Sequence, residues 1–173
     1  MTFTPGGTQR LDPLIWLGLP LLAVIIPTVL LAAPIRIFGL GLPEPVFALV
    51  LAFAWPAIRP SMFAPFLLVL LGLFLDLLWG GPLGLWPLAL VVVYGLVLAI
   101  RPTLTGRDGV FMWVWYAVAC LLAFGVGVVV TLVKDDHAPS LISLFWQYSV
   151  TVLLYPFADR LIERFEDADV RFR

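Results

Sequence analysis

Residues 66–86 read FLLVLLGLFLDLLWGGPLGLW: an apolar run, one aspartate, a glycine-proline turn, and the start of a second apolar run. Followed outward, the first run reaches back to Met62 and the second forward to Ile100. Each is close to the roughly 20 residues a helix needs to cross the hydrocarbon core. The break between them, Gly80-Gly81-Pro82-Leu83-Gly84, is too short to be anything but a tight turn, and its proline stands where a new helix starts without losing a hydrogen bond. The stretch therefore predicts two antiparallel membrane helices joined at one face of the bilayer. Gly72, Asp76 and Gly80 fall four apart, so they stack on one helix face and let a second backbone come close.

The rest of the chain has the same character. Of 173 residues, 62% are hydrophobic and 12% charged, with a mean hydropathy of +1.09. Soluble domains are about half apolar and roughly a quarter charged, so the composition implies one all-α polytopic integral membrane domain over 1–173. A formal net charge of -1 supplies no basic field, so no nucleic-acid partner is expected. A single cysteine excludes an internal disulfide and a thiolate zinc cluster. With one histidine and no carboxylate cluster in the apolar part, neither a metal nor another cofactor is expected, and no catalytic residue stands out. The reading is non-enzymatic.

Six apolar spans can be drawn, at about 13–33, 45–58, 62–79, 83–100, 110–133 and 141–158, followed by a charged tail over 159–173. The first is too long for the apolar region of a cleaved signal peptide. The second is short, ends in Trp55-Pro56, and reads as tilted, thinned or partly re-entrant. Six crossings place both termini on one side. That side carries Arg10, Arg59, Arg101, Arg107, Arg160, Arg164, Arg171 and Arg173, against Arg36 and Lys134 opposite. The positive-inside rule makes it cytoplasmic.

Asp76 is the ionisable residue clearly inside a span, and such a residue is a functional hypothesis by default. Three roles are open to it. The carboxylate can reach the unpaired first amides of the fourth helix and the positive end of its dipole, it can meet a partner, or it can carry a proton or ion, and the first, a cap that locks the hairpin, is the role expected. Ser143, Gln147, Thr151 and Tyr155 form a second fourfold row, a helix-interface stripe suited equally to packing within the chain and to docking a partner helix. Pro13, Pro20, Pro27 and Pro34, seven apart, lie near one face of the first helix and predict a curve. Ala119, Ala123 and Gly127 make a close-packing row on the fifth helix, with Cys120 a buried filler. Trp16, Trp55, Trp79 and Trp113 sit near span ends, as an aromatic belt would. Lys134-Asp135-Asp136-His137 reads as a solvated turn, and Leu161, Ile162 and Phe165 form a stripe in the tail that fits a membrane surface or a cytoplasmic protein.

The stretch from Phe66 to Trp86 resembles the signature of MreD, the rod shape-determining membrane protein family of bacteria, at Gly72, Leu73, Asp76, Gly80, Pro82, Leu83 and Gly84, with Gly81 inside the same turn. Chain length, a six-span layout and Tyr155-Pro156 before a short charged tail are similar as well. The sequence-specific part covers about twenty residues and the rest agrees in pattern. The resemblance implies a multi-pass protein of the bacterial inner membrane, a scaffold of the cell-elongation complex that supports lateral peptidoglycan synthesis and rod shape. Its implied partners are membrane lipids, MreC and, through the complex, MreB, RodA and a penicillin-binding transpeptidase. Homo-oligomerisation stays open, and the family brings no catalytic residues. The alternative is the substrate-binding membrane subunit of a small-molecule transporter, since the six-helix layout is also similar to the substrate-binding component of energy-coupling-factor transporters. A vitamin site there needs several convergent polar groups.

Overall fold

The computed structural model describes residues 13–32, 36–37, 40–41, 44–58, 60–104, 106, 108–135 and 140–170. The chain folds into helices α1 Pro13–Ala32, α2 Ala48–Ile58, α3 Phe63–Trp79, α4 Leu85–Leu104, α5 Gly109–Asp135, α6 Leu141–Val152 and α7 Tyr155–Val170. Between α1 and α2, the two-residue strands β1 Arg36–Ile37 and β2 Leu40–Gly41 pair antiparallel, Arg36 opposite Gly41.

Helix α2 is the centre of the fold. Its sequence, ALVLAFAWPAI, is apolar on every side, and every residue from Ala48 to Pro56 is buried. A helix apolar all round has no face to offer water and is stable only when wrapped. Helices α1, α3, α4, α5 and α7 all contact it. Around this centre, α3 packs on α4, α4 on α5, and α5 on α6. The peripheral helices turn large apolar side chains outward: Phe63, Phe66, Leu70 and Leu77 from α3, Val114, Val118, Leu121 and Val129 from α5, and Ile142, Phe145 and Trp146 from α6. Apolar surface on that scale exceeds what water-soluble monomers expose.

Among the described residues, three stretches are long and apolar enough to cross a membrane: Leu85–Leu104, Gly109–Val133, and Leu141–Ile162, the last running through α6 into α7. Leu17–Leu31, Ala48–Ile58 and Phe63–Trp79 are shorter apolar helices. At about 1.5 Å per residue, the 11 residues of α2 cover about 16 Å, half a hydrocarbon core of about 30 Å.

Several boundaries differ from the sequence expectation. The sixth span is broken: α6 ends at Val152 and α7 begins at Tyr155. Pro156 has no N–H to give the Val152 carbonyl, and its ring clashes with that turn. Helix α7 then continues to Val170, so the backbone of the charged tail is helical well past Ala158. Helix α4 runs on through Pro102 to Leu104. Trp55, read as part of an aromatic belt, is instead 1% exposed in the core, because α2 is wrapped along its length. In α1, Leu17, Pro20, Val24 and Thr28 are buried, which puts Pro20 on the packed face. Pro34, and the side chains of Pro13 and Trp16, lie outside the described residues, as do the Lys134–His137 side chains and Phe165.

Candidate functional site

The hairpin of α3 and α4 is organised by one residue. Asp76 is 1% exposed, and it holds the turn from both ends. Its carbonyl accepts the N–H of Gly80, which caps α3 in the left-handed conformation (φ 65), and the N–H of Gly81 at 3.2 Å. Its carboxylate accepts the Gly84 N–H at 2.6 Å and the Trp86 N–H at 3.0 Å. Gly84 stands at the N-cap of α4, since its carbonyl receives the Leu88 N–H at 3.2 Å. Asp76 therefore satisfies the start of α4 from one turn before the end of α3. Near the negative end of its own helix the carboxylate is disfavoured, and the positive end of α4 offsets this.

The glycines have separate jobs. Gly84, at φ 96, adopts a conformation that L side chains rarely enter. Gly72 faces the first turn of α4: a Cβ there would lie 2.6 Å from the Pro87 Cα and nearer still to its nitrogen. The two backbones are in direct contact at that level, and this contact sets the height at which Asp76 meets Gly84. Pro82 and Gly81 complete the turn, and the Leu85 N–H reaches the Pro82 carbonyl at 3.2 Å.

Aromatic edges carry the hairpin across the bundle. Trp79 packs edge-on against Trp86 with ring centroids 5.2 Å apart. Trp86 meets Phe124 of α5 at 6.2 Å, and Phe124 meets Tyr148 of α6 at 6.1 Å. Ala119, Ala123 and Cys120 of α5 are buried, and Gly127 faces Leu85.

The fourfold row on α6 turns largely inward. The Gln147 side-chain amide donates to the Glu44 carbonyl at 3.1 Å. The Thr151 hydroxyl accepts the Val46 N–H at 3.1 Å and donates to the Gln147 carbonyl at 2.7 Å, and the Thr151 carbonyl accepts from the Tyr116 hydroxyl at 3.2 Å. Tyr155 lies past the helix break and donates to the Asp159 carboxylate at 2.9 Å. Ser143 is exposed. The row is thus split: Gln147 and Thr151 fasten the approach to α2, while Ser143 and Tyr155 do other things.

Two contacts were not legible in the sequence. The Arg101 guanidinium, one of the charges of the expected cytoplasmic side, donates to the Ala57 carbonyl at 3.3 Å and the Ile58 carbonyl at 3.1 Å, capping the C-terminal end of α2. Two turns earlier, the Tyr94 hydroxyl accepts the Ser61 N–H at 3.3 Å and donates to the Ser61 carbonyl at 3.1 Å. The 3.6-residue period places Tyr94 and Arg101 on one face of α4, but it does not say which loop that face will meet.

Among the described residues, no three of His, Cys, Asp and Glu gather as a metal site. The architecture is that of a helical bundle with, among the described residues, three helices long and apolar enough to cross a membrane, compatible with a membrane protein. No protein-family model, curated protein or solved structure matches the chain.

Proposed function

We propose that the chain is a six-span, non-enzymatic scaffold of the bacterial cell-elongation machinery, seated in the inner membrane with both termini cytoplasmic. The observation that carries this reading is the engagement of Asp76. The residue at the heart of the MreD-like signature has its carboxylate on two backbone amides and its carbonyl on two more. A carboxylate so committed stiffens a hairpin, and a stiff hairpin suits a protein that presents helix faces to partners. The resemblance makes those partners MreC and, through it, MreB, RodA and a penicillin-binding transpeptidase. Six spans rather than three follow if α1, α2 and α3 also cross, with α2 completed by the non-helical residues before it. The arginine asymmetry supports that count.

Depletion in the host tests this reading, with cell width followed by microscopy and nutrient uptake measured in parallel. Rounding or swelling with uptake intact is the expected result. Normal width with a nutrient requirement would reject the scaffold in favour of a transporter subunit.

A further inference from the structure

We infer that a water-filled vestibule opens from the outer face of the membrane and ends at Glu44, at the mouth of the half-length helix α2. The inference rests on the six-span orientation proposed above. Three observations carry it.

The first is depth. The chain enters α2 where the Val46 N–H meets the Thr151 hydroxyl, beside the Tyr116 hydroxyl on the Thr151 carbonyl. Thr151 is close to the inner end of α6 (Leu141–Val152), about 15 Å below its start at 1.5 Å per residue. Tyr116 is in the second turn of α5 (Gly109–Asp135), with about 28 Å of that helix beyond it on the outer side. Both helices therefore place the entrance to α2 well inside the apolar layer.

The second is backbone. Residues 44–46 are not helical. Irregular backbone at membrane depth is tolerated only where protein buries it or water reaches it, because lipid offers no hydrogen bonds. Protein serves most of this segment: Pro45 has no N–H, the Val46 N–H goes to Thr151, the Glu44 carbonyl to Gln147, the Pro45 carbonyl to the Phe47 N–H at 3.2 Å and the Val46 carbonyl to the Leu49 N–H at 3.2 Å, so the demand for water falls on the Glu44 side chain.

The third is exposure. Glu44 and Pro45 are half-buried, whereas Val46 and the helix after it are buried. A glutamate at that depth, only half-buried by protein and costly in hydrocarbon, calls for water around its carboxylate. Gln147 stands beside it, and Ser143, one turn outward on α6, is exposed. Trp146, adjacent to Gln147 in sequence and at nearly the same height, is 57% exposed on an apolar face shared with Ile142 and Phe145. Height is thus nearly equal for Glu44 and Trp146, and the inference assigns them different surroundings.

The test uses single cysteines in a Cys120→Ala background, in right-side-out spheroplasts treated with a charged, membrane-impermeant maleimide. Glu44→Cys is expected to be modified from the outside and Trp146→Cys to remain at least tenfold slower. Equal, fast modification of both would put Glu44 at the membrane surface and overturn the vestibule. Failure to modify Glu44→Cys from either side would show the segment to be dry, with the same consequence. If Glu44→Cys does not fold, Pro45→Cys takes its place with the same two readings. A reporter fused after Arg173 separates the layers. Modification of position 44 only from the cytoplasmic side overturns the vestibule in either case. It overturns the orientation too if the reporter is active only in the periplasm. Neither result touches the cell-width experiment.

Discussion

Helices α4 and α2 are each fastened at or near their start by a side chain from another helix, but the two contacts are built differently. Asp76 reaches Gly84 and Trp86, eight and ten residues ahead, and brings a carboxylate. Thr151 reaches Val46 across a separation of 105 residues and brings a neutral hydroxyl. A charged acceptor on a short connection closes a hairpin whose partners are always near each other, so little chain entropy opposes it. A neutral acceptor on a distant helix works only after the surrounding helices have assembled. The first cap builds a unit; the second joins finished units. By this account the α3–α4 hairpin tolerates damage elsewhere better than the α2 entrance does.

Substitutions can break or sharpen that contrast. The largest effect is expected at Asp76. Asp76→Ala leaves two inward amides without a partner and should cost about 2–5 kcal/mol, with Asp76→Asn between it and the native protein. Thermal unfolding in detergent measures this, and a loss below about 1 kcal/mol for Asp76→Ala would show that water replaces the carboxylate. Next comes Gly72→Ala. Its added methyl meets the Pro87 backbone rather than a movable side-chain tip, so the helices must separate, at about 2–3 kcal/mol. A crosslink yield between cysteines on α3 and α4 should fall with it. The smallest of the three is Thr151→Val, which keeps shape and removes the acceptor for Val46, at about 1–2 kcal/mol. It should speed hydrogen exchange at the start of α2 while leaving Gly84 and Trp86 protected. Equal deprotection of both helix starts would refute the two-unit account. Ser143→Ala, on the exposed member of the same row, should change neither.

The Asp76 hairpin was readable because everything it needs lies within one short stretch. The glycine spacing, the turn and the carboxylate one turn before it all follow helix geometry. The row on α6 was readable as a row, but not in its direction. Spacing says that Gln147 and Thr151 share a face, and says nothing of what covers that face. It also concealed the break at Leu153–Leu154, where Pro156 separates Tyr155 from the rest. The contacts of Arg101 were hidden for a related reason. A charge at a span end looks solvated until a neighbouring helix ends beside it with unpaired carbonyls.

Sequence by itself determined that the chain is an apolar helical bundle, where the turn between α3 and α4 falls, and that Asp76 sits one turn from a glycine-proline bend. These are matters of composition and of periods shorter than a few turns. Tertiary structure alone decided that the shortest helix is the centre, with Trp55 inside it, and that Thr151 and Arg101 close its two ends. An all-apolar segment carries no periodic face to say where it packs. Its partners come from α4 and α6, distant in the chain, and meet it only when the bundle closes.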